Sequence, residues 1–169
     1  MAVKLPKLRR VQILFLILTI TIMCTIFYLS SQDAERSSDT SSLLTKLAVK
    51  LLYPQYDSEP DDIKREMWGK ASFIVRKLAH FSIYAALGFC ASVTVWKRKL
   101  ISAKNPGVIV FGFLYAVSDE FHQSFVKGRS CEFRDMMIDT CGVTVGLIIS
   151  LILMGIIALA VKRRRKRSQ

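Results

Sequence analysis

The chain has two histidines, His80 and His122, and both lie close to charged partners in an otherwise apolar sequence. Residues four apart share a helix face, so Arg76, His80, Tyr84 and Gly88 form one stripe. Tyr115, Ser118, Asp119 and His122 form a second, and Asp135, Asp139, Gly142 and Gly146 a third. If these stripes meet, His80, Asp119, Glu120 and His122 are the candidates for general acid and base work, since burial can move their pKa values toward neutrality. Arg76, Tyr84, Gln123, Arg129, Asp135 and Asp139 are the binding candidates. Arg129 follows Gly128, which suits a tight turn, and a guanidinium can grip a phosphate or carboxylate.

The same residues admit two other readings. Arg76, Arg129 and Arg134 can neutralise Asp119, Glu120, Asp135 and Asp139 in a purely structural network, as intramembrane charges commonly do. His80 and His122 with a carboxylate have the right ligand types for zinc or manganese. No H-E-x-x-H pattern occurs, so no metal ligand is assigned and no cofactor is named. The four cysteines, Cys24, Cys90, Cys131 and Cys141, include no C-x-x-C pair, and three of them lie in apolar runs. They read as small buried apolar residues rather than as disulfide or thiolate metal ligands.

The elements that must position these groups are membrane helices. Apolar residues make up 51% of the chain and charged residues 22%, and the two are segregated along it. Residues 11–29 carry no charge and are long enough to span about 30 Å of hydrocarbon. That run is too long for a signal-peptide core and has no small-x-small site after it, so an uncleaved helix is expected. Further spans are expected over 78–96, over 106–125 with Pro106 in the first turn, and over 138–161. The result is one all-α, polytopic membrane domain over 1–169, with four transmembrane helices.

Charge between the runs orients them. Four basic residues precede the first run, the loop 97–105 has four and no acid, and six follow the last run from Lys162 to Arg167. The segment 30–77 has eight of each sign, and 119–139 has three basic and five acidic residues. Basic loops stay in the cytoplasm, so both termini are expected inside and the two balanced segments outside. The net charge of +12 therefore reads as retention of cytoplasmic ends and attraction to anionic lipid, not as nucleic-acid binding. In the outer segment, Leu43, Leu44, Leu47, Leu51 and Leu52 form a stripe suited to an amphipathic helix lying on the membrane surface. Ser58-Glu59-Pro60-Asp61 reads as a capping box starting a helix that runs into the second span. This topology brings both histidines and the unusual carboxylates to one side at similar depth. Gly142-x-x-x-Gly146 turns the acidic face of the last helix toward a neighbour.

Three motifs in this order resemble those of the VanZ-like family. They are Arg76-Lys77-x-x-His80-Phe81-x-x-Tyr84-x-x-Leu87-Gly88, Asp119-Glu120-x-His122-Gln123-x-Phe125-Val126-x-Gly128-Arg129, and Asp135-x-x-x-Asp139-x-x-Gly142-x-x-x-Gly146. Ser30-Ser31-Gln32 matches the serine-rich exit after the first helix, so the likeness covers roughly residues 28–147. Lys127 departs from it, standing where the family often has proline before the Gly-Arg pair. The resemblance implies a bacterial cytoplasmic-membrane protein whose founding relative is linked to resistance against teicoplanin, an acylated glycopeptide. It supplies no reaction. The expectation is action at the outer leaflet on, or against, an amphipathic envelope molecule or lipoglycopeptide, with membrane lipid as the other partner. The alternatives are a membrane enzyme acting on a lipid-linked substrate and a non-catalytic modulator of another envelope protein. A transporter is disfavoured because the spans carry no midplane charge or broken helix. Nothing in the sequence sets the oligomeric state.

Overall fold

The computed structural model describes residues 6–33, 41–96 and 104–167. These form five α-helices and no strand: α1 (Pro6–Ser30), α2 (Ser42–Leu52), α3 (Asp61–Val95), α4 (Lys104–Gln123) and α5 (Phe133–Arg167), with a 3-10 turn at Tyr56–Ser58. The basic residues Lys97, Arg98 and Lys99 of the expected inner loop lie outside the described residues.

Three helices are long and apolar enough to cross a membrane: Arg10–Ser30, Asp61–Val95 and Phe133–Val161. The chain is thus a membrane-type protein with at least these three candidate spans among its described residues. α4 does not meet the same criterion, although it has 20 residues. Its last turn carries Asp119, Glu120, His122 and Gln123, which offset the apolar stretch before them.

α3 runs unbroken for 35 residues because proline is absent between Asp61 and Val95. At about 1.5 Å per residue it exceeds the hydrocarbon thickness, so its charged first half stands clear of the apolar second half. The expected capping box does not form. Ser58 sits in the 3-10 turn and donates its hydroxyl to the Gln55 carbonyl, and Pro60 occupies the N-cap without a side-chain bond. Asp61 and Asp62 instead set negative charge against the helix dipole.

The most extensive helix contact is that of α3 with α5, followed by α1 with α3 and α4 with α5. Gly142 lies so close to α3 that a β-carbon there would meet the Phe81 carbonyl oxygen at 2.5 Å and Tyr84 Cβ at 3.2 Å. One at Gly146 would strike the Ala85 carbonyl, and one at Gly88 the Val143 backbone. Lipid tails are as apolar as the side chains, so association rests on such close packing and on interhelical hydrogen bonds. Ser150 donates to Ser92 Oγ at 2.6 Å in the buried α3–α5 interface. Tyr115 donates to the Met23 carbonyl at 2.7 Å, joining α4 to α1. Gln12 of α1 donates to the Trp96 carbonyl at 2.6 Å, just past the end of α3. Tyr84, Leu87, Ala91, Ala116 and Val143 form the core between these contacts.

α2 rests on its neighbours through Thr45 and Val49, and the leucine stripe from Leu43 to Leu52 is exposed. One expectation, about buried cysteines, needs correction. Of the three cysteines in apolar runs, only Cys90 is buried; Cys24 and Cys141 face out of the bundle because they lie off the packed stripes.

Candidate functional site

The ends of α1 and α4 and the beginning of α5 converge beside the midpoint of α3, and there the polar residues gather. Tyr84 is fully buried and donates its hydroxyl to Asp119 Oδ2 at 3.2 Å. Gln123 Nε2 donates to the same oxygen at 3.1 Å and to Glu120 Oε1 at 3.3 Å. The Glu132 backbone N–H donates to Glu120 Oε2 at 3.0 Å, so both oxygens of this buried carboxylate have donors. Asp119 Oδ1 has none.

Asp139 is fully buried on α5, and neither of its carboxylate oxygens has a hydrogen-bond partner. His80 Nδ1 stands 3.7 Å from Asp139 Oδ2, an ion contact beyond hydrogen-bond range. His80, Asp119 and Asp139 each offer one ligand atom, and the three atoms lie within 4.8 Å of one another. They come from three different helices, which is why no local motif announces the group.

The loop after α4 is shaped by Gly128, whose φ of 76° is the left-handed conformation that glycine adopts without strain. Lys127 in place of proline does not prevent the turn, closed by the Arg129 N–H bonding to the Val126 carbonyl at 3.1 Å. Arg129 is thereby held with Nη1 donating to Gln123 Oε1 at 2.8 Å and Nε to the Gln32 carbonyl at 3.1 Å. Burial, and then the positive charge of neighbouring Arg76, hold the Arg129 pKa below the ordinary arginine value. Arg76 Nε is buried without a hydrogen-bond partner.

Two cavities border this group and share lining residues. One of about 220 Å³ is polar and lined by Arg76, Lys77, His80, Gln123, Arg129 and Ser130, among others. The other, about 280 Å³, is mainly apolar and lies between α1, α2 and α3 against Ile26, Leu29, Leu44, Val75, Ala79 and Ile83. Arg76 and His80 line both.

The structure therefore unites His80, Tyr84, Asp119, Gln123 and Asp139, with Glu120, Arg76 and Arg129 beside them. Two of the expected site residues stand apart. His122 turns to α1 and stacks on Phe27 at 4.2 Å between ring centroids, so it is not in the group with His80 and Asp139. Asp135 pairs with Lys77 and lines the polar cavity rather than joining the buried group. Arg134 pairs with Glu132, not with a carboxylate of the group. No arginine of the expected network lies within ion-pair distance of Asp119 or Asp139 among the described residues. Lys77 and Gln32 stand in the family-like motifs without a site role assigned from sequence, and the apolar wall was not singled out. Lys77 had a signal, since it precedes a span at the depth of Asp135 with the opposite charge. A backbone carbonyl such as that of Gln32 gives none.

The family model described as VanZ/LLP1 matches residues 15–154, a stretch that includes every residue of this group. No curated protein and no solved structure matches the chain.

Proposed function

Because the chain belongs to the VanZ/LLP1 family, we propose that it holds an amphipathic envelope molecule, of the kind a lipoglycopeptide such as teicoplanin represents, at the outer leaflet of the bacterial cytoplasmic membrane. The observation that carries this reading is the pair of cavities that share Arg76 and His80 in their walls. An acyl chain fits the apolar one, against Ile26, Leu44 and Val75. An anionic head group fits the polar one, where the Arg76 charge lies near enough to Arg129 to lower its pKa and the two guanidiniums favour a negative guest, the lining carboxylates Glu132 and Asp135 being paired with Arg134 and Lys77.

In this reading α4 is a fourth span ending at the membrane surface, the alternation of basic loops places the polar group outside, and the exposed leucines of α2 lie in the interface. Cys131 is exposed in the loop after α4 and reports the orientation. A membrane-impermeant thiol reagent should label it in intact cells after wall removal. Labelling only after lysis overturns the orientation.

Function is tested in a strain where the unmodified protein raises teicoplanin resistance. Arg76→Gln and Arg129→Gln should abolish protection while membrane abundance stays near normal. Retained protection in both variants sinks the head-group reading. Loss of protection and abundance in proportion makes the arginines structural.

One observation favours a catalytic variant of this reading: His80 borders both cavities with the buried Asp139 behind it, an arrangement that can orient an imidazole as a general base. A chemically altered envelope lipid in extracts of cells carrying the gene, absent without it and absent with His80→Gln, separates the enzyme from the binder.

A further inference from the structure

We propose that His80, Asp119 and Asp139 bind one divalent metal ion of the zinc or manganese class, tying α3, α4 and α5 together at a single point. The proposal does not depend on which envelope molecule the neighbouring cavities hold.

The first ground is charge. Two carboxylates, 3% and 0% exposed, lie in one group, and neither has an arginine or lysine within salt-bridge distance among the described residues. Asp139 has only the His80 contact at 3.7 Å and Asp119 only the neutral donors Tyr84 and Gln123; buried ionised carboxylates so weakly compensated cost several kcal/mol, and a +2 ion offsets two of them at once. The second ground is the pattern of unmet acceptors. Asp139 has no donor on either oxygen, although it is fully buried. Asp119 has donors on one oxygen only: Tyr84 and Gln123 both bond Oδ2 and leave Oδ1 unmet. Metal-binding carboxylates are commonly held in this way, by outer partners that fix the group while one oxygen is left for the ion.

The third ground is geometry. In a tetrahedral site with bonds of about 2.1 Å, donor atoms lie roughly 3.4 Å apart. The three donors here fall within 4.8 Å of one another, so small side-chain rotations suffice to close on an ion. The glycine contacts of α5 with α3 hold His80 and Asp139 at this separation. One imidazole and two carboxylates suit zinc or manganese better than a soft, thiolate-seeking ion. Three protein ligands also leave a coordination position open. His80 lines the polar cavity, so the ion would border the space where Arg76 and Arg129 stand.

The test uses the full chain, purified in detergent, stripped with chelator and dialysed to equilibrium against Zn²⁺ or Mn²⁺, with bound metal counted by mass spectrometry. About one ion per chain is expected for at least one of the two metals. Asp139→Asn and His80→Gln should each weaken binding by more than the 10–100-fold or so that losing an outer partner costs. Asp135→Asn, whose carboxylate pairs with Lys77, should bind as the unmodified chain does. Metal should raise the melting temperature of the unmodified protein and of Asp135→Asn, and not of the other two. If Asp139→Asn does not fold, His80→Gln and the stoichiometry of the unmodified protein decide. Failure of the unmodified protein to bind either ion overturns the proposal. Unchanged binding by both ligand variants also overturns it, by placing the ion elsewhere.

Discussion

From Phe81 to Ser92, α3 meets α5 through backbones pressed against glycine and through a paired hydroxyl, Ser150 to Ser92. From Arg76 to His80 the same two helices surround a carboxylate with no donor and a guanidinium nitrogen with no acceptor. The difference is one of purpose. Helices in lipid gain nothing from hiding apolar surface, so the first region must supply cohesion by shape and hydrogen bonding. The second opposes cohesion, because unmet polar groups are costly where water is scarce. It persists because the seam beside it fixes the helices regardless. Unmet groups held in place by a rigid neighbour are what a binding site looks like before its ligand arrives.

The comparison breaks most decisively at the seam. Replacing Gly142 and Gly146 together with leucine puts side chains into the Phe81 and Ala85 backbone, which cannot give way. Over-packing of this kind costs roughly 3 kcal/mol or more. Folded protein recovered from the membrane should fall by well over tenfold. Thr144→Leu, two residues from each glycine and only half-buried, should be recovered at near-normal levels. Equal recovery of the two would mean that the seam does not carry the cohesion assigned to it.

A smaller change sharpens the contrast. Ser150→Ala removes the donor to Ser92 and creates in the seam one unmet hydroxyl, a small copy of the condition around Asp139. The expected loss is about 1 kcal/mol, read as a modest fall in the midpoint of unfolding in a denaturing detergent titration. A loss of several kcal/mol would show that the hydroxyl pair, not the glycine contacts, is the main fastening.

Much of this arrangement was legible in the sequence because it follows from helical spacing. The stripe Arg76, His80, Tyr84, Gly88 does face the bundle, and Gly142 and Gly146 do meet a neighbouring helix. The VanZ-like motifs fall where the helices converge. What could not be read was the rotation of α4 relative to the others. Spacing puts Asp119 and His122 on one stripe, but the stripe is wide, and its edges face different neighbours. Asp119 meets Tyr84 of α3, while His122 meets Phe27 of α1. The count of spans rested on apolar run length, and α4 falls short of that measure because its last turn is polar. The capping box failed for a local reason: proline took the N-cap, and Ser58 was drawn into the preceding turn.

Gly142 stands on α5 within one turn of Asp139, and the atoms it would collide with belong to Phe81 and Tyr84, the first of them next to His80 in sequence. The missing side chain therefore works as a gauge block. It sets the gap between a nitrogen on one helix and an oxygen on another, now 3.7 Å, through the thickness of bare backbone. A methyl inserted there would act as a shim, wedging the two donors apart without touching either. Coordination tolerates distance errors of only about 0.2 Å. The position most sensitive to the chemistry of this group can thus be one that has no chemistry of its own.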